Sequence, residues 1–334
     1  MTGGARQPVE VSVVVATMNR GEELNDLLAS LESQTFQPFE VVIVNDGSTD
    51  GTVATLQRFA ERTSLDFRFI SQENRGVSAA RNVGIGAARG RLVAFTDDDC
   101  VLLPQWLEFL FQALQRQPEG VAGVGGPLDT VVKNPTSLAG RFVKNQDDFN
   151  YIPVFGGPVI LHRHVSRVGE EENIPYLRTS NALFRKDALL AVRGFDEAFR
   201  QPGGEDPDLC YRLISAGWRL RLRKEIRVLH KSRDSFSAYF RSLRNYLRGE
   251  FRKSRKRRLY LEPVIRRTYS LLFFRKIAVA GLFTLAFPAT LFSAMKRFGG
   301  IDGAVYALVT LASKYAALAV TARCQCESVR GRFH

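Results

Sequence analysis

Residues 11–20, Val11-Ser-Val-Val-Val-Ala-Thr-Met-Asn-Arg20, decide the fold class of this 334-residue chain. The segment begins with a nearly continuous run of valines, which is typical of a strand buried on both faces of a parallel sheet. Polar residues follow from Thr17 onward. In open parallel sheets, ligands bind beyond the carboxyl ends of the strands. The segment therefore predicts a central strand that ends in a loop able to bind a ligand.

The next eighty residues continue this pattern, because apolar runs alternate with stretches of helical spacing. Leucines at positions 24, 27, 28 and 31 form one stripe of a helix predicted over residues 22–33. Further strands are predicted at 41–44, 67–70 and 92–96, and further helices at 50–62 and 77–88. Strands that alternate with helices favour a mostly parallel sheet covered on both faces. The predicted fold class is therefore α/β.

The character of the sequence changes at Ser235. Helix signals at 186–192 and 206–216 precede this point, and an apolar stripe at helical spacing follows it, formed by Phe236, Tyr239, Phe240, Leu243, Tyr246, Leu247 and Phe251. Arginines occupy the other faces, which predicts a basic amphipathic helix. We therefore divide the chain into a first domain, residues 9–235, and a helical C-terminal region, residues 236–334.

The formal net charge of +13 is concentrated near this boundary. Residues 219–276 contain 20 Lys or Arg and four acidic residues, so the rest of the chain is slightly acidic. Such a segment indicates a polyanionic partner, either an anionic membrane surface or nucleic acid. Two apolar stretches follow at 277–295 and 304–322, and the first has no charge and nearly the length that spans a bilayer. We expect membrane association; a helical subdomain packed on the rest of the protein is the alternative.

Cysteine content and the N-terminal sequence bear on the compartment. Four cysteines, at positions 100, 210, 324 and 326, are too few for a disulfide scaffold and predict a reducing environment. Cys324 and Cys326 lack the spacing of a zinc site. The first thirty residues contain no secretory segment. We expect a protein at the cytoplasmic face of the cell membrane, with a soluble cytoplasmic protein as the alternative.

The clearest candidate for chemistry is Thr96-Asp-Asp-Asp-Cys100, at the end of an apolar strand. Adjacent carboxylates repel one another, so a fold that keeps three together needs a cation to offset their charge. Hard oxygen ligands suit Mn²⁺ or Mg²⁺, and Mg²⁺ is usually held by one or two carboxylates together with substrate phosphates. A solvated acidic turn is the alternative.

Two further acidic segments lie at positions suited to ligands. In Asn45-Asp-Gly-Ser-Thr-Asp50, the last residue can cap the following helix, whereas Asp46 lies where a nucleotide base or ribose could bind. In Gly203-Gly-Glu-Asp-Pro-Asp208, the carboxylates lie near a helix start, where they are electrostatically favoured. One of them could accept a proton from an attacking hydroxyl group. The paired glycines favour a mobile loop that admits a substrate.

Together with Asn74-Arg-Gly-Val-Ser-Ala-Ala-Arg-Asn82, these motifs occur in the order and spacing of glycosyltransferase family 2. Residues 9–235 resemble a member of that family. The resemblance implies a GT-A fold, a UDP-, GDP- or dTDP-sugar donor and a divalent cation, Mn²⁺ or Mg²⁺. It also implies an inverting transfer to a hydroxyl group of a glycan or lipid-linked acceptor, in the synthesis of a cell-surface polysaccharide or glycolipid.

The resemblance further implies roles for individual residues. Donor-binding residues would be Thr17, Asn19, Arg20, Asp46, Arg81, Asp97 and Asp98. Asp99 and His230 would bind the metal, and Asp206 would be the general base. Glu205 and Asn181 are candidates on the acceptor side.

Two other functions remain as alternatives. A nucleotidyltransferase that makes sugar nucleotides has a related core, but it would carry a Gly-rich loop with Lys or Arg after the first strand, and residues 17–20 are not such a loop. A nucleic-acid-binding protein would explain the basic segment but not three acidic clusters, so we expect no nucleic-acid partner. His162 and His164 have no third ligand nearby in the sequence, and we expect them to be structural.

Overall fold

The computed structural model describes residues 8–144, 171–172, 174, 176–232, 235–245, 248–249, 291–292, 294–296 and 299–329. These residues form two compact units. Unit 1 contains residues 8–130, the described residues from 171 to 201, and residues 205–231. Unit 2 contains residues 131–144, 202–204 and the described residues from 232 onward. His162, His164 and most of the apolar stretch 277–295 lie outside the described residues.

The strands and helices of the first hundred residues follow the sequence prediction to within a few residues at their ends. The strands are β1 (Val11–Thr17), β2 (Phe39–Asp46), β3 (Asp66–Gln72), β4 (Leu92–Thr96), β5 (Cys100–Leu102), β6 (Val121–Gly125), β7 (Leu128–Val132), β8 (Glu171–Glu172), β9 (Asn181–Arg185), β10 (Arg219–Leu222) and β11 (Val228–Ser232). Helices with assigned bounds among the described residues are α1 (Leu24–Glu32), α2 (Thr52–Arg62), α3 (Val77–Ala87), α4 (Trp106–Gln115), α5 (Leu138–Lys144), α6 (Lys186–Ala191), α7 (Glu205–Ser215) and α8 (Gly300–Val329).

In the part of the chain that the structure describes, eight strands form the central sheet, in the order β3-β2-β1-β4-β9-β6-β10-β8. Strands β1, β2, β3, β4, β6 and β10 run in the same direction, whereas β8 and β9 run against them. The predicted mostly parallel sheet of an α/β protein is therefore confirmed.

The valines of β1 explain why this strand is central. Every residue from Val11 to Val15 is at most 1% exposed. Val13 and Val15 belong to one apolar cluster, and Val14 belongs to a second cluster on the other face of the sheet. Burying one valine side chain contributes roughly 1.5–3 kcal/mol to folding. This run therefore stabilises the sheet from both faces, as its sequence predicts.

One edge of the sheet collects the polar segments. Strands β1, β2 and β4 end there at Thr17, Asp46 and Thr96. Because β9 is antiparallel, it begins at this edge, and its first residue, Asn181, pairs with Thr96. A second sheet, in the order β5-β11-β7, lies beyond the acidic turn and pairs His230 with Cys100. This arrangement determines the position of every side chain discussed below.

Unit 2 has a small aromatic core of its own. Phe142 of α5 is buried against the rings of Phe236, Tyr239 and Tyr306. Residues 131–144 thus belong to the same compact unit as the described C-terminal residues, and the predicted domain boundary at residue 235 stays a prediction. Residues 236–245 are helical, in agreement with the predicted basic amphipathic helix.

Helix α8 has two different faces. Asp302 lies in the first turn of α8, and both of its carboxylate oxygens accept hydrogen bonds from Arg141, at 2.6 and 2.8 Å. Ile301, Leu308 and Tyr315 are exposed and lie seven residues apart, so they share one face of the helix. Residues 300–320 are long and apolar enough to cross a membrane, with a mean hydropathy of 1.5. The described residues thus contain one possible membrane-spanning helix in the C-terminal region.

Candidate active site

The acidic turn between β4 and β5 contributes two carboxylates to a cluster with His230. Single ligand atoms of Asp97, Asp99 and His230 all lie within 4.8 Å of one another. Sheet pairing explains this closeness, because the backbone N–H of Lys231 donates a 2.9 Å hydrogen bond to the carbonyl oxygen of Asp99. His230 Nε2 consequently lies 3.2 Å from Asp99 Oδ1.

This cluster fits a divalent metal ion. Asp99 Oδ1 is buried and accepts no hydrogen bond of good geometry from the described residues. Carboxylate and imidazole ligands are compatible with Mn²⁺. Burial lowers the pKa of His230, but Asp99 and Asp97 together raise it, and the net shift is upward. Since a ligating imidazole must be neutral, metal binding would release the proton from a protonated ring.

Arg20 approaches the same turn from the loop after β1. Its Nη2 donates a 3.2 Å hydrogen bond to Asp99 Oδ2, and its Nε lies 3.7 Å from Asp98 Oδ1. Burial acts to raise the pKa of Asp99, yet His230 and Arg20 hold it below its usual value. Asp99 is therefore ionised at neutral pH, as a metal ligand must be.

Asp98 is buried and faces Thr17. Asp98 Oδ2 accepts a 2.8 Å hydrogen bond from Thr17 Oγ1. Burial raises the pKa of Asp98 to about 7, and Arg20 opposes this shift. The two side chains thus bind each other, and this hydrogen bond connects the end of β1 to the acidic turn. Their predicted contact with the donor stays a prediction.

Asn19 and Asp46 join the loops that follow the first three strands. Asp46 accepts hydrogen bonds from the backbone N–H groups of Arg75 and Gly76, both at 2.8 Å. Asn19 Oδ1 accepts a 2.8 Å hydrogen bond from the backbone N–H of Thr49. The loops are thereby held together at the edge where nucleotides bind in open α/β sheets.

Asp206 lies in the first turn of α7. Its two oxygens accept hydrogen bonds from the backbone N–H of Thr179, at 3.1 Å, and from Thr179 Oγ1, at 2.7 Å. Burial and the adjacent Glu205 raise the pKa of Asp206 to about 7, whereas Arg81 lowers it. The side chain is 17% exposed, so a substrate can still approach it. A carboxylate with this pKa is suited to accept a proton near neutral pH.

Arg81 is 5% exposed and lies between these two groups of carboxylates. Its Nη2 donates to Asp97 Oδ1 at 3.0 Å, and its Nη1 donates to Glu205 Oε1 at 3.0 Å. Nη1 also lies 3.6 Å from Asp206 Oδ1. The guanidinium thus lies among three carboxylates of the protein, and its predicted contact with the donor stays a prediction.

Asn181 does not lie at the surface of the site, although the sequence analysis made it an acceptor-side candidate. The side chain is fully buried. Its Oδ1 accepts a 2.8 Å hydrogen bond from Trp106 Nε1, and its Nδ2 donates to the carbonyl oxygens of Pro127 and Ile226 at 3.0 and 2.7 Å. These bonds join three distant segments, so the position indicates a structural role.

We expect Asn181→Ala to lower the free energy of unfolding by about 3 kcal/mol, because a buried polar group left without its partner costs roughly 1–3 kcal/mol. Chemical denaturation followed by circular dichroism measures this change. The matched control is Asn25→Ala on the exposed side of α1, which should change stability by less than about 0.5 kcal/mol. A stable Asn181→Ala protein with a raised KM for acceptor alone would restore the acceptor-side role.

Thr179 and Ser180 are site residues that the sequence analysis missed. Thr179 binds Asp206, and Ser180 Oγ donates a short hydrogen bond to Asp97 Oδ2. Both residues directly precede β9. Polar residues before an apolar strand were the available signal, but only the antiparallel direction of β9 brings them to the ligand-binding edge.

Comparison with known proteins identifies relatives of this arrangement. Residues 12–192 match the family described as Glycosyl transferase family 2, and residues 159–233 match that described as N-terminal domain of galactosyltransferase. The chain is 30% identical over 233 residues to the glucosyl-dolichyl phosphate glucuronosyltransferase of Haloferax volcanii, covering 67% of this chain and 69% of that one. It is 28% identical over 232 residues to the hyaluronan synthase of Pasteurella multocida, covering 63% of this chain but 23% of the synthase.

Solved structures show the same fold at low sequence identity. The mannosyltransferase PcManGT from Pyrobaculum calidifontis, in complex with GDP-Man and Mn²⁺, superposes with a TM-score of 0.62 at 17% identity, covering 94% of this chain and 89% of that one. GalNAc-T7 with UDP, GalNAc and Mn²⁺ superposes with a TM-score of 0.53 at 16% identity, covering 73% and 48% of the two chains. The expected GT-A fold is confirmed.

Proposed function

Because the chain belongs to glycosyl transferase family 2 and is a nucleotide-sugar glycosyltransferase, we propose that it transfers a sugar, with inversion, to a hydroxyl group of a membrane-borne glycan or lipid-linked acceptor. One observation carries this proposal. The candidate metal cluster and the candidate base lie at the same edge of the sheet, joined by the buried Arg81.

The residues at this edge suit the two charges that develop during transfer. Asp97, Asp99 and His230 would hold Mn²⁺ or Mg²⁺, which would neutralise the charge on the departing diphosphate. Asp206 would accept the proton of the acceptor hydroxyl as its oxygen attacks the anomeric carbon. Attack from the face opposite the leaving group gives inversion.

The relatives support the proposed donor and acceptor classes. Solved neighbours contain GDP-Man with Mn²⁺, or UDP with Mn²⁺. The Haloferax relative acts on a dolichyl phosphate, which is a lipid-linked molecule. We therefore propose a nucleotide-diphosphate sugar donor and a lipid-linked or polysaccharide acceptor for this chain.

A donor assay tests the proposal. Purified protein with Mn²⁺ is given UDP-glucose, UDP-GlcNAc, UDP-glucuronic acid and GDP-mannose in turn, with lipid extract as the acceptor source. We expect one donor to release free nucleoside diphosphate, with its sugar recovered in the lipid or polysaccharide fraction. A nucleotidyltransferase would instead release pyrophosphate from a nucleoside triphosphate and a sugar 1-phosphate, and that result would overturn the proposal.

Two features support membrane association of the C-terminal region. Residues 300–320 of α8 are long and apolar enough to span a bilayer, and one face of α8 exposes Ile301, Leu308 and Tyr315. Arg241, Arg244 and Arg248, in the basic segment that follows residue 235, are exposed and suit anionic headgroups. We propose that the protein binds the cytoplasmic face of the membrane through both features.

We expect the full chain to sediment with liposomes, to stay bound during a wash with 1 M NaCl, and to be released by detergent. At this salt concentration the Debye screening length is only about 3 Å. Salt screens the attraction between basic residues and headgroups, but it does not weaken the burial of apolar surface. Flotation on phosphatidylcholine liposomes with and without phosphatidylglycerol separates these two contributions. If the full chain stays in solution without detergent, the proposed membrane association is wrong, whereas the proposed transfer reaction is unaffected.

A further inference from the structure

We propose that Arg81 is a positioning residue that fixes the metal-binding turn relative to the general base, and that it does not bind the nucleotide. This inference rests on the proposed function and adds a role for a residue outside the reacting groups. It arises from one arrangement: a buried guanidinium whose partners come from two different carboxylate segments.

The contacts of Arg81 reach both sides of the site. Nη2 donates to Asp97, which belongs to the metal cluster, and Nη1 donates to Glu205, which directly precedes Asp206. The ring of Phe195 lies 5.4 Å from the guanidinium carbon and covers it. Burial, these ion pairs and the aromatic ring leave the guanidinium little access to a phosphate or a base.

A second connection joins Asp97 to Asp206, which also lies 3.6 Å from Arg81 Nη1. Ser180 Oγ donates to Asp97, and both donors of the preceding residue, Thr179, bind Asp206. Because consecutive Cα atoms are about 3.8 Å apart, this dipeptide limits how far the two carboxylates can separate. Arg81 and the pair Thr179–Ser180 therefore hold Asp97 and Asp206 through two separate connections.

The chemistry of the guanidinium suits this task. Its donors form a rigid planar fork, so a single side chain can bond one carboxylate through each Nη atom. Lysine keeps the charge but presents it at a single point, and it cannot reproduce both contacts with the same geometry. Arg81 also offsets the mutual repulsion of Asp97, Glu205 and Asp206.

A fixed separation matters because the reaction needs both groups at once. The diphosphate must lie against the metal cluster while the acceptor oxygen lies against Asp206. A displacement of about 1 Å in such an arrangement can cost about 10²-fold in rate. Loss of the Arg81 connection should therefore lower turnover without removing the surfaces that bind nucleotide.

The first test compares Arg81→Lys with wild-type protein. We expect kcat to fall by about 10²-fold, while the affinities for UDP and GDP, titrated by calorimetry in EDTA, stay within about twofold of wild type. Arg89→Lys is the matched control, because Arg89 also binds two carboxylates, Glu40 and Asp66, and contacts none of the site residues. That variant should lose thermal stability and keep its kcat.

The second test does not depend on transfer activity. Thermal unfolding of Arg81→Gln, Glu205→Gln and the double variant forms a double-mutant cycle. Arg81→Gln leaves the buried Glu205 carboxylate without its cation, so we expect this change to lower the unfolding temperature less in the Glu205→Gln background than in wild-type protein. Additive effects would overturn the proposed connection even if transfer is confirmed. An Arg81→Lys protein with unchanged kcat and a tenfold loss of UDP or GDP affinity in EDTA would assign Arg81 to the nucleotide.

Discussion

Asp99→Ala should lower sugar transfer by about 10³-fold or more at saturating Mn²⁺, because a bound metal contributes several kcal/mol of transition-state stabilisation. Asp99 has one oxygen bonded to Arg20 and another that is buried beside His230 without a hydrogen bond of good geometry. Alanine removes the carboxylate that lies 3.2 Å from His230 Nε2. Release of nucleoside diphosphate, measured with the identified donor, checks this expectation.

Chelation provides the complementary measurement. Excess EDTA should abolish transfer by the wild-type protein, and added Mn²⁺ or Mg²⁺ should restore it, whereas neither ion should restore Asp99→Ala. Asp129→Ala is the control, because this acid pairs with Arg227 and is not part of the metal cluster. Full wild-type activity in excess chelator would exclude the metal from the reaction.

Asp206→Asn should lower transfer by about 10²-fold or more, which is the usual contribution of a positioned general base. Asparagine keeps the shape of the side chain and removes its ability to take a proton. Donor affinity should persist, since the nucleotide would bind at the opposite side of the site. Asp208→Asn is the matched control in the same helical turn, where Asp208 pairs with Arg212. It should keep its turnover.

The pH profile gives an independent measure of the same role. The pKa of Asp206 is raised to about 7, and the base works only when ionised. The rate should therefore rise as pH increases through about 7 and level off above it, and Asp206→Asn should lose this inflection. If the variant keeps the inflection and its turnover but loses nucleotide affinity, Asp206 is a binding residue.

Local sequence patterns predicted the parallel part of the sheet because each strand there carries its own signal. The valines between Val11 and Val15 favour a strand that is buried on both faces. The polar residues after β1, β2 and β4 meet at one edge because these strands are parallel. The family resemblance supplied Asp99, His230 and Asp206 as functional candidates. The structure brings the first two together and places the third near Arg81.

The remaining features depend on contacts that no local pattern encodes. The antiparallel direction of β9 places Thr179 and Ser180 in the site and turns Asn181 into the core. Arg81 has the sequence context of a ligand-binding residue, and its burial follows only from carboxylates on distant segments. The packing of residues 131–144 against the C-terminal region is likewise a long-range effect.

The bonds of Asn181 also bear on the order of folding. They join it to residues 75, 54 and 45 positions away, and Arg81 reaches across 124 positions to Glu205. Closing such long loops costs entropy before any contact is gained, whereas β1 pairs with β2, and β2 with β3, in each case the next strand along the chain. These three strands can therefore pair while the chain is still being synthesised, and the site can form only after residue 230 has left the ribosome. A ribosome-bound chain that stops before that point should have paired strands β1, β2 and β3 and no metal cluster.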